Sequence, residues 1–261
     1  MYSTTFHTTN SVDDAVTKLA EAEDGKILAG GQTLLPTMKA RFASPSDLVS
    51  LAGTSELSGI SRDGNATVIG AMTTHAEVAG SVDVPSYLAA VAGGIGDPAV
   101  RNRGTIGGSV ANNDPAADYP AACLGLGATI TTNKRSIAAA DYFKDMFETA
   151  LDDGEIITSI SFPDAEKAAY AKFPNPASRY AMVGVLVVVG GGETRVAITG
   201  ASESGVFRHS GLEAALSADM SAAAVDAVEV SSDGLISDVH GSGNYRAALI
   251  KAMTKRALVA L

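Results

Sequence analysis

The chain has 261 residues, a formal net charge of −10, 46% hydrophobic residues, one cysteine and no tryptophan. That balance excludes nucleic acid and anionic membranes as natural partners, and the single Cys123 excludes a disulfide framework and an iron–sulfur cluster held by this chain alone. No apolar run reaches the roughly twenty residues that span a bilayer, no His or Cys cluster has zinc spacing, and no signal peptide precedes Tyr2. A cytoplasmic protein of one to three domains, without stable membrane insertion, is expected.

From the N-terminus, Ser11-Val-Asp-Asp14 resembles a capping box, and Val12, Ala15, Val16, Leu19 and Ala20 recur at helical spacing to about Ala22. Lys26–Ala29 reads as a short strand running into Gly30-Gly31-Gln32-Thr33 and a helix from Leu34 to Arg41, with Pro36 tolerable only near its start. Leu48–Leu51 and Ala66–Gly70 read as strands, and Thr74-x-x-Glu77 caps a short helix. His75, beside that cap, could be a catalytic or cofactor-tethering residue, but one histidine near a helix start reads as solvated or structural. A helix over Pro85–Ala92 leads into the stretch from Ile95 to Ala128, against which the rest of the chain is read.

There Thr105-Ile106-Gly107-Gly108-Ser109 sets two residues without side chains beside two hydroxyls, so several backbone N–H groups can approach a ligand, which suits an anion. Gly30-Gly31 is a second glycine pair, at a strand-to-helix junction. The alternative is that each pair is a turn between packed segments. Neither the G-x-G-x-x-G fingerprint nor the P-loop pattern occurs. Asn112 to Pro115 reads as a turn, and Ala116–Leu126 as a helix with Asp118 in its first turn. Farther on, Ala128–Thr132 and Glu155–Phe162 read as strands joined by an irregular or helical Ala139–Ala150. Composition shifts near Asp164: Ala168–Phe173, Ala181–Val189 and Thr194–Thr199 read as an antiparallel meander, followed by helices at Leu212–Leu216, Ser221–Val230 and Tyr245–Leu261.

Taken in order, Ala29-Gly-Gly-Gln-Thr-Leu-Leu-Pro-Thr-Met-Lys-Ala-Arg41, Ile69-Gly-Ala-Met-Thr-Thr74 and the run from Arg101 to Asp118 resemble the FAD-binding medium subunits of molybdenum hydroxylases, aerobic carbon monoxide dehydrogenases among them. Glu155-Ile-Ile-Thr-Ser-Ile160, Tyr170-Ala-Lys172, Ser178-Arg-Tyr-Ala181 and the helix opening Tyr245-Arg-Ala247 extend the resemblance over nearly the whole chain. It implies an α+β, vanillyl-alcohol-oxidase-type (PCMH-type) FAD-binding fold. Residues 1–163 would form the FAD-binding domain, in subdomains of about 1–53 and 54–163. Residues 164–261 would form a small C-terminal domain with a three-stranded antiparallel sheet and helices.

By the same resemblance, Ala29, Gly30, Gly31, Gln32 and Thr33 surround the FAD pyrophosphate together with Thr105, Ile106, Gly107, Gly108 and Ser109. Ile95 joins the cofactor-binding set, and Asn112 and Asp118 lie along the ribose and adenine. Ile156, Ile157, Lys172 and Tyr180 surround the isoalloxazine, where an apolar wall shields the ring and a cation favours its reduced anionic form. Taken without the resemblance, Asp118 is a helix-start charge, the isoleucines are core, Lys172 is a solvated strand residue and Tyr180 a packing aromatic. Ser109 stands where the family often has Asn, and Pro174-Asn175-Pro176 replaces a segment that is basic in some relatives.

The implied function is electron transfer through non-covalent FAD, with no catalytic side chain and no metal of the chain's own. Electrons would arrive from a small 2Fe-2S subunit fed by a large molybdenum-cofactor subunit, in a dimer of heterotrimers, and leave to a quinone, NAD or oxygen. Carbon monoxide, an aldehyde, a purine or an N-heterocycle fits as substrate of the whole. The alternatives are a stand-alone flavoprotein oxidase with its own substrate pocket, and a flavin-free binding module.

Overall fold

Three sheets of three or more strands follow one another along the chain, with a two-stranded hairpin beside them, in the computed structural model, which describes residues Met1 to Leu261. The first has Asp47–Ser50 at its centre, paired in parallel with Thr5–Thr8 on one side and Gly25–Leu28 on the other. The helix Val12–Glu21 crosses over it, N-capped by Ser11, whose hydroxyl accepts from the Asp14 amide. Its Ala15 packs into a small core with Val49, Leu51 and Leu57. Sequence reasoning passed over the Thr5–Thr8 strand because its only large apolar residue, Phe6, is 57% exposed and marks no buried face.

The second sheet is antiparallel, in the order Ile60–Asp63, Ala66–Gly70, Ile157–Pro163, Thr129–Thr132, Ser136–Ala138. The helices His75–Gly80, Ser86–Gly93, Ile106–Asn112 and Tyr119–Leu126 close the largest core over it, with Leu88, Ile106, Tyr119, Ile130 and Ile160 fully buried. The segment expected to be an irregular or helical connection is a helical turn at Ala139–Tyr142 followed by a hairpin of Phe143–Asp145 with Glu148–Thr149.

After Pro163 the chain enters a third sheet of Lys167–Pro174, Ala181–Gly190, Glu193–Ser202 and Gly205–Arg208, all antiparallel. It has four strands where three were expected. Gly205–Arg208 is short and ends in a charge, so only its pairing with Ala197 and Ile198 identifies it. The apolar run is buried on both faces from Ala181 to Val188. Val183, Val185 and Val187 meet the helices Ser210–Ala218 and Gly243–Ala260, while Leu186 and Val188 enter the core of the second sheet. The third sheet is thereby fixed against the Tyr119–Leu126 helix, which Asp118 precedes.

Candidate functional site

A cavity of about 620 Å³ lies where the first glycine loop, the Ile95–Asp118 region and the start of the third sheet converge. Its first wall is the end of the Gly25–Leu28 strand and the turn Ala29 to Thr33. Gly31 has φ +71°, a conformation that turns the chain into the Leu34–Lys39 helix and that a side chain would strain. The amides of Gly30, Gly31, Gln32 and Thr33 donate to no group of the protein, and all four residues line the cavity. Four consecutive unengaged donors on a cavity wall suit an anion such as a phosphate.

The second pair is built differently. Gly107 and Gly108 lie in the first turn of the Ile106–Asn112 helix, not in a loop, and Thr105 is its N-cap. Ile106 N donates to Thr73 O at 3.1 Å, Gly107 N to Ala71 O at 2.9 Å, Gly108 N to Thr105 Oγ1 at 3.2 Å and Ser109 N to Thr105 O at 3.0 Å. This corrects the expectation of free N–H groups here. Thr105, Gly108, Ser109 and Asn112 border the cavity, whereas Ile106 and Gly107 are buried behind it. The glycines serve close packing: a Cβ on Gly107 would lie 2.5 Å from Ala71 Cβ, and one on Gly108 2.9 Å from the N-cap hydroxyl Thr105 Oγ1. A Cβ on Gly30 would strike the carbonyl of Arg103, so the two motifs interlock.

The third wall comes from the C-terminal half. Asp118 precedes the Tyr119–Leu126 helix without capping it; its carboxylate accepts from the Tyr170 hydroxyl at 2.5 Å and from Lys172 Nζ at 2.9 Å. Lys172 Nζ also donates to Gly94 O at 3.1 Å. Tyr170 and Lys172 are two apart on one strand and so reach the same carboxylate from one face. Burial raises the Asp118 pKa, opposed by the Lys172 ammonium and the Tyr170 hydroxyl, and burial also raises that of Tyr170, which keeps its proton and donates. The expected placement set Asp118 by the adenine and Lys172 by the ring. The structure instead joins them in one ion pair, with Asp118 on the cavity wall and Lys172 behind it.

The Thr199 hydroxyl shares its one hydrogen between the carbonyls of Pro115 and Ala117, at 2.9 and 2.7 Å, tying the turn before Asp118 to the third sheet. Between its first two strands, buried Asn175 closes a loop: its Oδ1 accepts from the amides of Ala177 and Ser178, and its amide donates to Tyr180 O. That loop, with Arg179 at φ +62°, presents Ser178, Arg179 and Tyr180 to the cavity opposite the first glycine turn.

Of the expected ring-side residues, Tyr180 therefore borders the cavity, as does Ile95, held in its bend by Arg101 donating to Ile95 O and Gly96 O. Ile156 and Ile157 do not. Ile156 packs into the small core with Ala15 and Val49, and Ile157 into the large core with Ile130 and Ile160, because successive strand residues point to opposite sides. Sequence reasoning missed Gly104, Asp114, Ala117, Ser178, Arg179 and His75 as cavity residues. The Asn between two prolines was the one local signal, a turn that delivers Ser178 and Arg179.

The family described as FAD binding domain in molybdopterin dehydrogenase matches residues 2–165. The chain is 34% identical over 275 residues to the carbon monoxide dehydrogenase medium chain of Hydrogenophaga pseudoflava, covering 97% of this chain and 95% of that one. It is 33% identical over 266 residues to the nicotine 6-hydroxylase medium subunit of Paenarthrobacter nicotinovorans, covering 95% and 94%. Among solved structures, quinoline 2-oxidoreductase from Pseudomonas putida 86 superposes with a TM-score of 0.89 at 30% identity over 99% of this chain and 96% of that one.

Proposed function

The chain belongs to the family of FAD-binding domains of molybdopterin dehydrogenases, and from that premise we propose that it is the flavoprotein electron-transfer subunit of a molybdenum hydroxylase. It takes electrons from a small 2Fe-2S subunit, itself supplied by a large molybdenum-cofactor subunit, and passes them to a quinone, NAD or oxygen. The three subunits assemble as a dimer of heterotrimers. The names of its relatives as medium chains or medium subunits support a larger and a smaller partner subunit.

FAD, when bound, supplies one-electron and two-electron redox chemistry. The residues present fit it. The unengaged amides of Gly30 to Thr33, with the hydroxyls of Thr33 and Ser109, suit a pyrophosphate, and they are the observation that carries this reading. Ile27, Leu28, Ile95 and Val100 offer apolar surface to the flat rings, and Tyr180 an aromatic one. Asp118 offers a carboxylate held in place by two donors. On this reading the flavin is held by these contacts without a covalent bond.

The test is the flavin content of the purified full chain. Acid precipitation is expected to release FAD into the supernatant, and the chain is expected to co-purify with a large and a small subunit when all three are expressed. FMN in the supernatant, or flavin retained in the pellet, would contradict the reading.

A further inference from the structure

His75 is a buried polar residue whose position nothing in its own helix requires. The His75–Gly80 helix is already closed by a reciprocal capping box between Thr74 and Glu77, so the imidazole caps nothing. The residue is 5% exposed, its ring tilts against Tyr119 at 5.4 Å, and Nδ1 is sealed from solvent without a hydrogen-bond partner. Such an orphan has to be offset by something the ring does elsewhere.

Its other edge borders the cavity. Gly104 is the residue set against Nε2, and a Cβ there would lie 2.6 Å from that nitrogen, so only glycine leaves the edge uncovered. Gly104 in turn backs Gly30, where a Cβ would lie 2.8 Å from Gly104 Cα. Burial, aided by the charge of Arg101, depresses the pKa of the imidazole to about 4, so at neutral pH it carries a single N–H. On Nδ1 that hydrogen would be a buried donor with no acceptor, whereas a buried bare lone pair is the milder loss. The proton therefore sits on Nε2, at the cavity edge.

We propose that His75 is a cofactor-binding residue, donating its Nε2–H across the cavity edge beside Gly104 to an oxygen atom of the bound flavin nucleotide. This rests on the FAD reading of the cavity. It explains why a neutral imidazole is kept with one nitrogen unsatisfied: the other is reserved for a ligand acceptor that the protein does not supply.

The test is equilibrium binding of FAD to the flavin-stripped full chain, with circular dichroism to check the fold, alongside nitrogen-15 spectra of its histidines. His75→Phe removes the donor and is expected to weaken FAD binding by roughly tenfold, while His75→Gln, which keeps an N–H, restores part of the loss. In the wild-type chain the Nε2–H resonance of His75 is expected before FAD is added and to move when it binds. Should His75→Phe fail to fold, the spectra still decide. Wild-type affinity in the Phe variant, or a proton found on Nδ1, would overturn the proposal. Failure of the wild-type chain to take up FAD at all would instead overturn the FAD reading.

Discussion

The two glycine pairs look alike in the sequence and do opposite things in the fold. Gly30-Gly31 ends a strand, and its turn leaves four consecutive amides without a partner at the cavity. Gly107-Gly108 opens a helix, and its amides are taken by Ala71 O and Thr105 Oγ1. The first pair is a ligand surface; the second is a joint, where missing side chains let one backbone rest on another. A glycine pair therefore reports close approach, and whether a ligand or the protein does the approaching depends on where the N–H groups go. On the side of the second pair, the polar groups offered to a ligand must then be side chains.

The foremost of these is Asp118, and the largest expected effect lies there. Lys172→Met keeps most of the packing but leaves the carboxylate buried without its cation, which is expected to cost about 3–5 kcal/mol of stability in chemical denaturation. Tyr170→Phe removes one donor to the same carboxylate and should cost less, about 1.5–3 kcal/mol. Because Asp118 already neutralises Lys172, and burial favours the protonated acid once the ammonium is gone, the flavin reduction potential should fall by much less than a lone charge would give. A Lys172→Met protein as stable as the wild type would mean that the pair contributes nothing, and the division of labour between the walls would have to be redrawn.

Next in size is the contrast between neighbours. Gly107→Ala drives a methyl to within 2.5 Å of Ala71 Cβ and should cost about 1–3 kcal/mol of stability, the range for overpacking. Gly108→Val points into the narrow space between Thr105 and Ala29 at the cavity edge. It is expected to lower FAD uptake at least tenfold, with a fold loss of about 1 kcal/mol or less. Far-UV circular dichroism, denaturation midpoints and flavin absorbance, read on both proteins, check it. If the neighbours behaved alike, or if Gly108→Val kept a full complement of FAD, the joint and the ligand edge would not be separate.

Local features of this fold were legible because neighbours in sequence decide them. The Ser11 and Thr74 caps, the turn at Gly31 and the doubly buried run Ala181–Val188 all declare themselves within a few residues. The partner of each polar group did not. Gly107 is satisfied by a carbonyl on another segment, Ala71, and Asp118 meets Lys172 across 54 residues. An apolar pair such as Ile156-Ile157 reads the same whether it faces a flavin or fills two cores. His75 likewise read as an ordinary helix-start residue, because burial of one edge and exposure of the other are tertiary facts.

The smallest expected effect is on the pH dependence of stability, and it probes the joint side through His75. Burial and the charge of Arg101 hold the ring at a pKa of about 4, below its ordinary 6.5, in the folded chain. The unfolded chain therefore takes up the proton first as pH falls. The stabilising contribution is complete above about pH 6.5 and is lost progressively as pH drops toward 4, with a limiting slope of about 1.4 kcal/mol per pH unit for one proton. Urea denaturation of the flavin-stripped wild-type chain and of His75→Gln, each at pH 7.5 and 5.5, isolates this term, since the other histidines are common to both and cancel in the difference. The wild type is expected to lose about 1 kcal/mol more than the variant over that interval. Equal losses would mean that the imidazole is hydrated and chargeable where it sits. The cavity edge beside Gly104 would then be an open, solvated surface like the first glycine turn, and the contrast between the two pairs would narrow to their amides alone.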